Sequence, residues 1–197
     1  IAGYFFYNSV AYYNLLSFQA SQNPMLAEQL NLEQMVLRPF FLDLGIVLLL
    51  VSPLITMRLY AEERKTGTIE LLFTYPLTDS STLLAKFWAV LTALAVLLAG
   101  TIPGMLVLEQ ISGLNWALVF SGYLGVFFLG GAFLSVGIFT SSLTQNQIIA
   151  GVISFGALLM LWIIGWAMTM VGPEAAAVIG YLSITQHLDN FAKGVLD

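Results

Sequence analysis

The chain has 197 residues, of which 59% are hydrophobic and only 9% charged, with a mean hydropathy of +0.90 and a net charge of −5. Soluble domains carry about 25% charged residues, so this composition leaves too few polar groups to cover a globular surface and indicates a membrane protein. The acidic balance argues against nucleic acid as a partner, and the lack of cysteine excludes disulfides and Cys-ligated metals.

The first predicted element is the end of a membrane span at residues 1–18, whose tyrosines suit the membrane interface. The chain begins at Ile1 and opens directly in this apolar stretch, without the basic residues of a signal peptide. We therefore expect the true N-terminus, and the rest of this span, to lie upstream.

The second predicted span covers residues 40–59 and carries Asp43 near its outer end, where we interpret it as an interfacial residue. The loop that follows, residues 60–83, gathers the charge of the chain. Because Lys and Arg concentrate on the cytoplasmic side of membrane proteins, we predict that this loop is cytoplasmic. The basic residues within or beside it are Arg58, Arg64, Lys65 and Lys86.

Within this loop, the helical pattern of the second span continues to Gly67, which is predicted to break or cap the helix. A short, mostly apolar helix follows, with Glu70 in its first turn, where negative charge is favoured, and Pro76 at its end. Its apolar face needs a protein partner, the membrane surface or the chain's own helices, and the residues favour none of the three. That face consists of Ile69, Leu71, Leu72 and Phe73.

Three further spans are predicted at residues 84–108, 116–140 and 147–172, each apolar over the roughly 20 residues that a crossing helix needs. Apart from Lys86 they contain no charge, so they lack the ionisable groups that an ion-coupled carrier places in mid-membrane. Small residues spaced four apart favour close helix packing within the chain over a dimer contact. The pairs are Gly100 and Gly104, Ser121 and Gly125, and Gly131 and Ser135.

The last predicted element is an outer re-entrant region at residues 173–197. Its apolar stretch, residues 175–184, is too short to span and follows Gly172 and Pro173, and an amphipathic end comes after it. Together, these elements predict an all-α fold, a polytopic bundle of transmembrane helices that forms a single domain over residues 1–197.

The motifs of familiar catalytic sites are missing from the sequence. There is no P-loop for a nucleotide phosphate, and a single histidine, His187, cannot build an H-E-x-x-H zinc site. Without a G-x-S-x-G elbow, we interpret His187 as a polar residue on an outer amphipathic helix. The chain is therefore predicted to offer a path through the membrane, and energy for uphill transport must come from another subunit.

The stretch MRLYAEERKTGTIELLFTYPLTDSSTLLAKF, residues 57–87, resembles the membrane subunit of type-2 ABC transporters. Those permeases typically show E-x-[RK]-x-x-G-[ST]-x-E-x-L-x-x-x-P after the second span. The matching residues are Glu62, Arg64, Gly67, Thr68, Glu70, Leu72 and Pro76. Within that family, residues 56–63 and SSLTQNQI at 141–148 are most similar to permeases associated with gliding motility. The resemblance covers about residues 40–197.

The resemblance implies six spans in the complete subunit, about five of them represented here, and a location in the bacterial inner membrane. It also implies a second permease subunit, identical or different, and an ABC ATPase that docks from the cytoplasm. ATP and Mg²⁺ are expected on that ATPase, so this chain is expected to hold no cofactor or metal and to be no enzyme.

The same resemblance makes the short helix after Gly67 a coupling helix, which sits in a groove of the ATPase and carries its movement to the spans. Glu62, Glu63 and Arg64 are expected to orient the connecting helix, and the apolar residues to make the contact. The residues implied in ATPase coupling are Glu62, Glu63, Arg64, Gly67, Thr68, Glu70, Leu71, Leu72 and Phe73.

Two other functions stay open beside the transporter. A membrane scaffold that anchors a motility or secretion complex would need no translocation, and a secondary carrier is disfavoured by the uncharged spans. The spans select no substrate among the lipids, polysaccharides, drugs and peptides that type-2 permeases handle, although the family leans towards export.

Overall fold

The computed structural model describes residues 2–22, 33–70, 78–112, 114–167, 180 and 183–193. All secondary structure in these ranges is helical, which confirms the predicted all-α fold. A π-helical turn, Glu33–Leu37, precedes the second helix. The helices are α1 (Ala2–Gln22), α2 (Arg38–Thr56), α3 (Ala61–Thr66), α4 (Asp79–Ala99), α5 (Ile102–Ser112), α6 (Trp116–Leu143), α7 (Gln147–Ala167) and α8 (Ile184–Ala192).

Four stretches of the described chain are long and apolar enough to cross a membrane, and each overlaps one of the last four predicted spans. They are Met35–Thr66, Asp79–Gln110, Trp116–Leu143 and Gln147–Gly165. Helix α1 forms where the end of a span is predicted but is not among the four, because its Tyr, Asn and Gln side chains lower its hydropathy. The re-entrant prediction for 173–197 lies outside the described residues except at 180 and 183–193.

The span predicted at residues 84–108 is interrupted in the structure by a break between α4 and α5. The Thr101 N–H and hydroxyl both donate to the Leu98 carbonyl, at 2.9 and 2.6 Å, and Pro103 sits in the first turn of α5. Proline lacks an N–H, so it suits a new helix start and not a helix interior.

Glu109, near the end of α5, accepts a hydrogen bond from the first residue of the next helix. The Trp116 indole donates to the Glu109 carboxylate at 2.6 Å. This contact gives the charge of Glu109 a structural role.

The described chain divides into two compact units, and the first comprises Ile1–Val47, Leu97–Val126 and Thr185–Asp197. Four aromatic rings of its core make successive edge-to-face contacts, with 5.4 to 5.7 Å between ring centroids. In order, they belong to Phe6, Phe40, Phe41 and Tyr123. The Tyr123 hydroxyl also bonds the Thr101 hydroxyl at 2.7 Å. A half-buried phenol is stabilised by such a partner, so these contacts fix α6 within this unit.

Helix α8 packs onto α6 in the first unit at one of the predicted small-residue pairs. The Ser121 hydroxyl donates to the Phe191 carbonyl at 2.9 Å. One turn further on, a Cβ at Gly125 would lie 2.5 Å from the Phe191 Cβ, so only glycine allows this approach. The prediction that this pair serves packing within the chain is thus confirmed.

The second unit comprises Leu48–Val96 and Phe127–Ile184. Its core contains Leu94, Phe133, Leu134 and Leu158, all nearly inaccessible to solvent. The Thr56 side chain lies so close to Gly137 that a Cβ there would overlap it. The end of α2 is therefore held tightly against α6, next to the point where the charged loop begins.

A small ion-pair cluster joins α8 to the start of α2 in the first unit. The Arg38 guanidinium donates to both Asp189 carboxylate oxygens, and Lys193 pairs with the same carboxylate at 2.6 Å. Burial alone would raise the pKa of Asp189, but the hydrogen bonds and charges of Arg38 and Lys193 outweigh it and hold that pKa below its ordinary value.

Asp189→Asn is expected to lower the free energy of unfolding by about 1 kcal/mol at neutral pH. Because the folded-state pKa lies below the ordinary 3.8, the stabilisation is complete above that value and is lost as the pH falls through the folded-state pKa. Thermal unfolding in detergent, at neutral pH and well below pH 3.8, measures this. The difference in unfolding temperature between wild type and Asp189→Asn should disappear in acid. The exposed Glu62→Gln control should unfold at the wild-type temperature at neutral pH.

Candidate functional site

The candidate site lies in the second unit, where α2 leaves its span and the charged loop begins. Helix α2 ends at Thr56, residues 57–60 form a turn that we call the elbow, and α3 starts at Ala61. Backbone bonds such as Leu59 N–H to the Thr56 carbonyl, at 3.1 Å, close the turn. Tyr60, at the N-cap position of α3, supplies no side-chain cap. The free N–H groups at the start of α3 therefore need another acceptor.

Ser141, near the end of α6, provides that acceptor. Its hydroxyl accepts hydrogen bonds from the Tyr60 and Ala61 N–H groups, at 3.1 and 3.2 Å, and donates to the Met57 carbonyl at 3.0 Å. A hydroxyl has one donor and two acceptor sites, so its full capacity is used. Both Ser141 and Ala61 have no exposed surface. One buried side chain thus ties the start of α3 to α6.

Lys86 on α4 holds the elbow from a second helix. Its ammonium donates to the Leu59 carbonyl and to the Glu63 carboxylate, and it lies 3.8 Å from the centre of the Tyr60 ring. The Lys86 side chain is only 15% exposed. A carbonyl, a carboxylate and an aromatic face together suit a partly desolvated cation. The elbow is therefore fixed by α4 and α6 at once, and α3 also lies against α7.

Lys86→Met keeps most of the aliphatic stem and removes the charge. We expect this variant to lose about 1–2 kcal/mol of unfolding free energy, because the Leu59 carbonyl, the Glu63 carboxylate and the Tyr60 ring all lose their cation. Thermal unfolding of the purified chain measures it. Lys65→Met removes the same charge from an exposed position on α3 and should change stability by less than about 0.5 kcal/mol. Equal losses in the two variants would contradict the assigned contacts.

The far end of α3 is closed by Gly67, as predicted. Gly67 has φ +73° and ψ 0°, the left-handed conformation that glycine adopts without a steric penalty. Around it, the Thr66 hydroxyl donates to the Glu62 carbonyl at 2.9 Å and bonds the Thr68 hydroxyl at 2.9 Å. Residues 68–70 begin another helical turn. Three of the residues implied in coupling, Leu71, Leu72 and Phe73, lie outside the described residues.

The remaining residues implied in coupling divide into two groups. Glu63 turns back towards Lys86 and holds α3 in place. The others are exposed: Glu62, Arg64, Gly67, Thr68 and Glu70. The start of the charged segment is thus anchored in the helices. The rest of its described part exposes charged side chains at the surface of the chain.

Sequence reasoning missed the two residues that hold the elbow. Ser141 appeared only as part of a motif, and Lys86 only as a basic residue at a span boundary. A signal did exist for each, since both are polar residues at the ends of otherwise apolar spans. Their partners, however, lie 80 and 23 positions away along the chain, and only the packing of α3 against α4 and α6 brings them together.

Comparison with known proteins gives one result at the family level. A family model described as ABC-2 family transporter protein matches residues 7–193. No curated protein and no solved structure matches the chain. In the described chain, no group of three or more His, Asp or Glu side chains is placed to hold a metal ion. The matched range includes the elbow, both of the helices that hold it and Gly67.

Proposed function

This chain belongs to the ABC-2 family of transporter proteins, and we propose that a separate ATPase subunit drives it through the loop at residues 60–83. It is a multi-pass membrane protein and the permease subunit of an ABC transporter. In this proposal the ATPase binds ATP and Mg²⁺ and docks on the segment around Gly67. The permease converts the ATPase movement into a rearrangement of its spans.

The doubly held elbow is the observation that carries the coupling proposal. Helix α3 is short, its start is tied to α6 by Ser141 and to α4 by Lys86, and its end is exposed. A force on the exposed end would reach two spans through buried and partly buried polar contacts, and satisfied polar contacts of this kind fix the positions of the helices that they join. A loop that served only to connect two spans would not need these contacts.

The finer features of this function rest on the family resemblance. We infer a location in the bacterial inner membrane, a second permease subunit and transport in the direction of export. The motifs at residues 56–63 and 141–148 support a place among the gliding-motility-associated permeases. Large apolar side chains such as Val152 and Met160 are exposed on α7, as expected of a helix that faces lipid or a second permease.

The test is a mild-detergent purification of the tagged full-length protein from its native membrane, followed by mass spectrometry of its stoichiometric partners. We expect an ABC ATPase at about one copy per permease, as the proposed docking requires. Recovery of the permease alone, or only with structural proteins of the envelope, would overturn the proposal and favour a membrane scaffold.

A further inference from the structure

A cavity of about 430 Å³ opens beside the elbow in the second unit. Residues from α3, from the first turns of α4 and from the last turns of α6 line it. Its volume falls within the usual range of small-molecule sites, about 300–1,000 Å³. The cavity is therefore large enough for the polar part of a lipid-sized molecule.

The charged residues of the lining lie at the end near the loop. That end contains Arg64 and Asp79, together with Tyr60, Ile69, Thr82 and Ser142. Farther into the spans the lining is mostly apolar, because its one polar residue, Ser135, donates its hydroxyl to the Gly131 carbonyl of its own helix, and the others are Leu83, Phe87, Ile138 and Phe139. From Asp79 to Phe87, the last cavity residue on α4, the helix rises about 12 Å at 1.5 Å per residue. A ligand that fits must be charged at one end and apolar at the other.

The apolar part of this cavity is open at the surface of the membrane spans. Phe139 is 62% exposed and Leu83 is 49% exposed, although both belong to membrane spans. Molecules that reach such a surface from the side are lipids, and the level of the charged loop is the level of their headgroups. Soluble metabolites would not require the exposed apolar wall.

The two charges in the cavity select among lipids. Arg64 and Asp79 are exposed, and in the part of the chain that the structure describes neither of them forms an ion pair. A guanidinium is well suited to a phosphate, and a carboxylate to a primary ammonium that can donate hydrogen bonds. One cation and one anion match a zwitterionic headgroup, whereas an anionic headgroup would leave Asp79 facing like charge.

We propose that this cavity binds one zwitterionic aminophospholipid, of the phosphatidylethanolamine type, from the leaflet on the side of the charged loop. Arg64 binds the phosphate, Asp79 binds the ammonium, and an acyl chain lies along Leu83 and Phe139. Bound there, the lipid fills the space beside the elbow and couples the position of α3 to the surrounding membrane. This site does not depend on ATPase coupling, so its test needs neither ATP nor a partner.

The test is lipid retention by the purified chain. The protein is reconstituted in nanodiscs with equal amounts of phosphatidylethanolamine, phosphatidylcholine and phosphatidylglycerol, then washed in mild detergent, and the retained lipids are counted by native mass spectrometry. We expect retained phosphatidylethanolamine to be enriched about tenfold over the other two, the effect of one charge-assisted contact. Retention in the proportions of the mixture would overturn the proposal.

Two variants and a matched control test which part of the headgroup Arg64 and Asp79 each bind. Arg64→Gln should lower retention of all three lipids about tenfold, and Asp79→Asn should keep a bound lipid but abolish the preference for ethanolamine. Lys65→Gln removes the same charge from the next residue of α3, which does not line this cavity, and should behave as wild type. An equal loss in Lys65→Gln and Arg64→Gln, or an unchanged preference in Asp79→Asn, would contradict the site. Unfolding temperatures confirm that each variant is folded.

Discussion

Ser141→Ala is expected to uncouple the permease from its ATPase while the ATPase still binds. The variant leaves the buried Ala61 N–H and the partly buried Tyr60 N–H without an acceptor, and the Met57 carbonyl without its donor. Each unsatisfied buried group costs about 1–3 kcal/mol, so the start of α3 should detach from α6. Movement of α3 would then no longer reach that span.

The chain contains no cysteine, so a single cysteine can report this movement. Phe128→Cys places an environment-sensitive fluorophore on an exposed position of α6. In the reconstituted complex with its ATPase, ATP should change the fluorescence when Ser141 is intact. With Ser141→Ala, the change should fall about tenfold, while the ATPase copurifies in the same amount.

Thr92→Ala is the matched control for this experiment. The exposed Thr92 hydroxyl, on α4 and outside the cavity, donates only to the Ala89 carbonyl of its own helix, at 2.8 Å, among the described contacts. Its removal should leave both stability and the ATP response near wild type, within about 0.5 kcal/mol. If the two alanine variants respond alike, Ser141 does not transmit movement. If Ser141→Ala also loses the ATPase, its effect is on docking and not on transmission.

The sequence predicted the helices well because a membrane leaves little choice. In lipid a segment must satisfy its own backbone hydrogen bonds, so about 20 apolar residues already specify a helix and its length. Gly67 was predictable for a similar reason, since a glycine between two helical patterns usually takes the left-handed conformation. These features depend on local chemistry, which the sequence shows directly.

The contacts between helices were not predictable in the same way. The break at Gly100 and Thr101 lies inside an unbroken apolar run, so hydropathy alone does not show it. Asp189 and Arg38 are 151 positions apart, and Ser141 and Ala61 are 80 apart. Such pairs depend on how the helices pack, and a polar residue in a span indicates only that some partner exists.

Gly67→Pro is expected to abolish coupling while membrane insertion and the ATPase activity itself persist. The proline ring fixes φ near −65°, and Gly67 needs φ +73°, so α3 could not end where it does and the segment after it would point elsewhere. Glu70→Lys should act in the same direction by placing a positive charge in the first turn of the next helix. The ATP-dependent fluorescence at position 128 and the yield of copurified ATPase measure both variants.

A graded series at Gly67 separates backbone conformation from steric crowding. Among the described residues, a Cβ at Gly67 would meet no atom within 4 Å, so within this part of the chain a side chain there strains the left-handed backbone and crowds nothing. Asn tolerates that conformation better than Ala, and most L-residues lose about 1–2 kcal/mol in it, so coupling should decrease in the order Gly, Asn, Ala, Pro. Gly156→Ala is the control, because Gly156 has equally open space but lies inside helix α7, where alanine should be neutral or stabilising.

Normal ATP responses in both Gly67→Pro and Glu70→Lys, with normal ATPase recovery, would show that the loop does not couple the two subunits. Loss of ATPase recovery alone in these variants would indicate that the geometry at Gly67 serves docking.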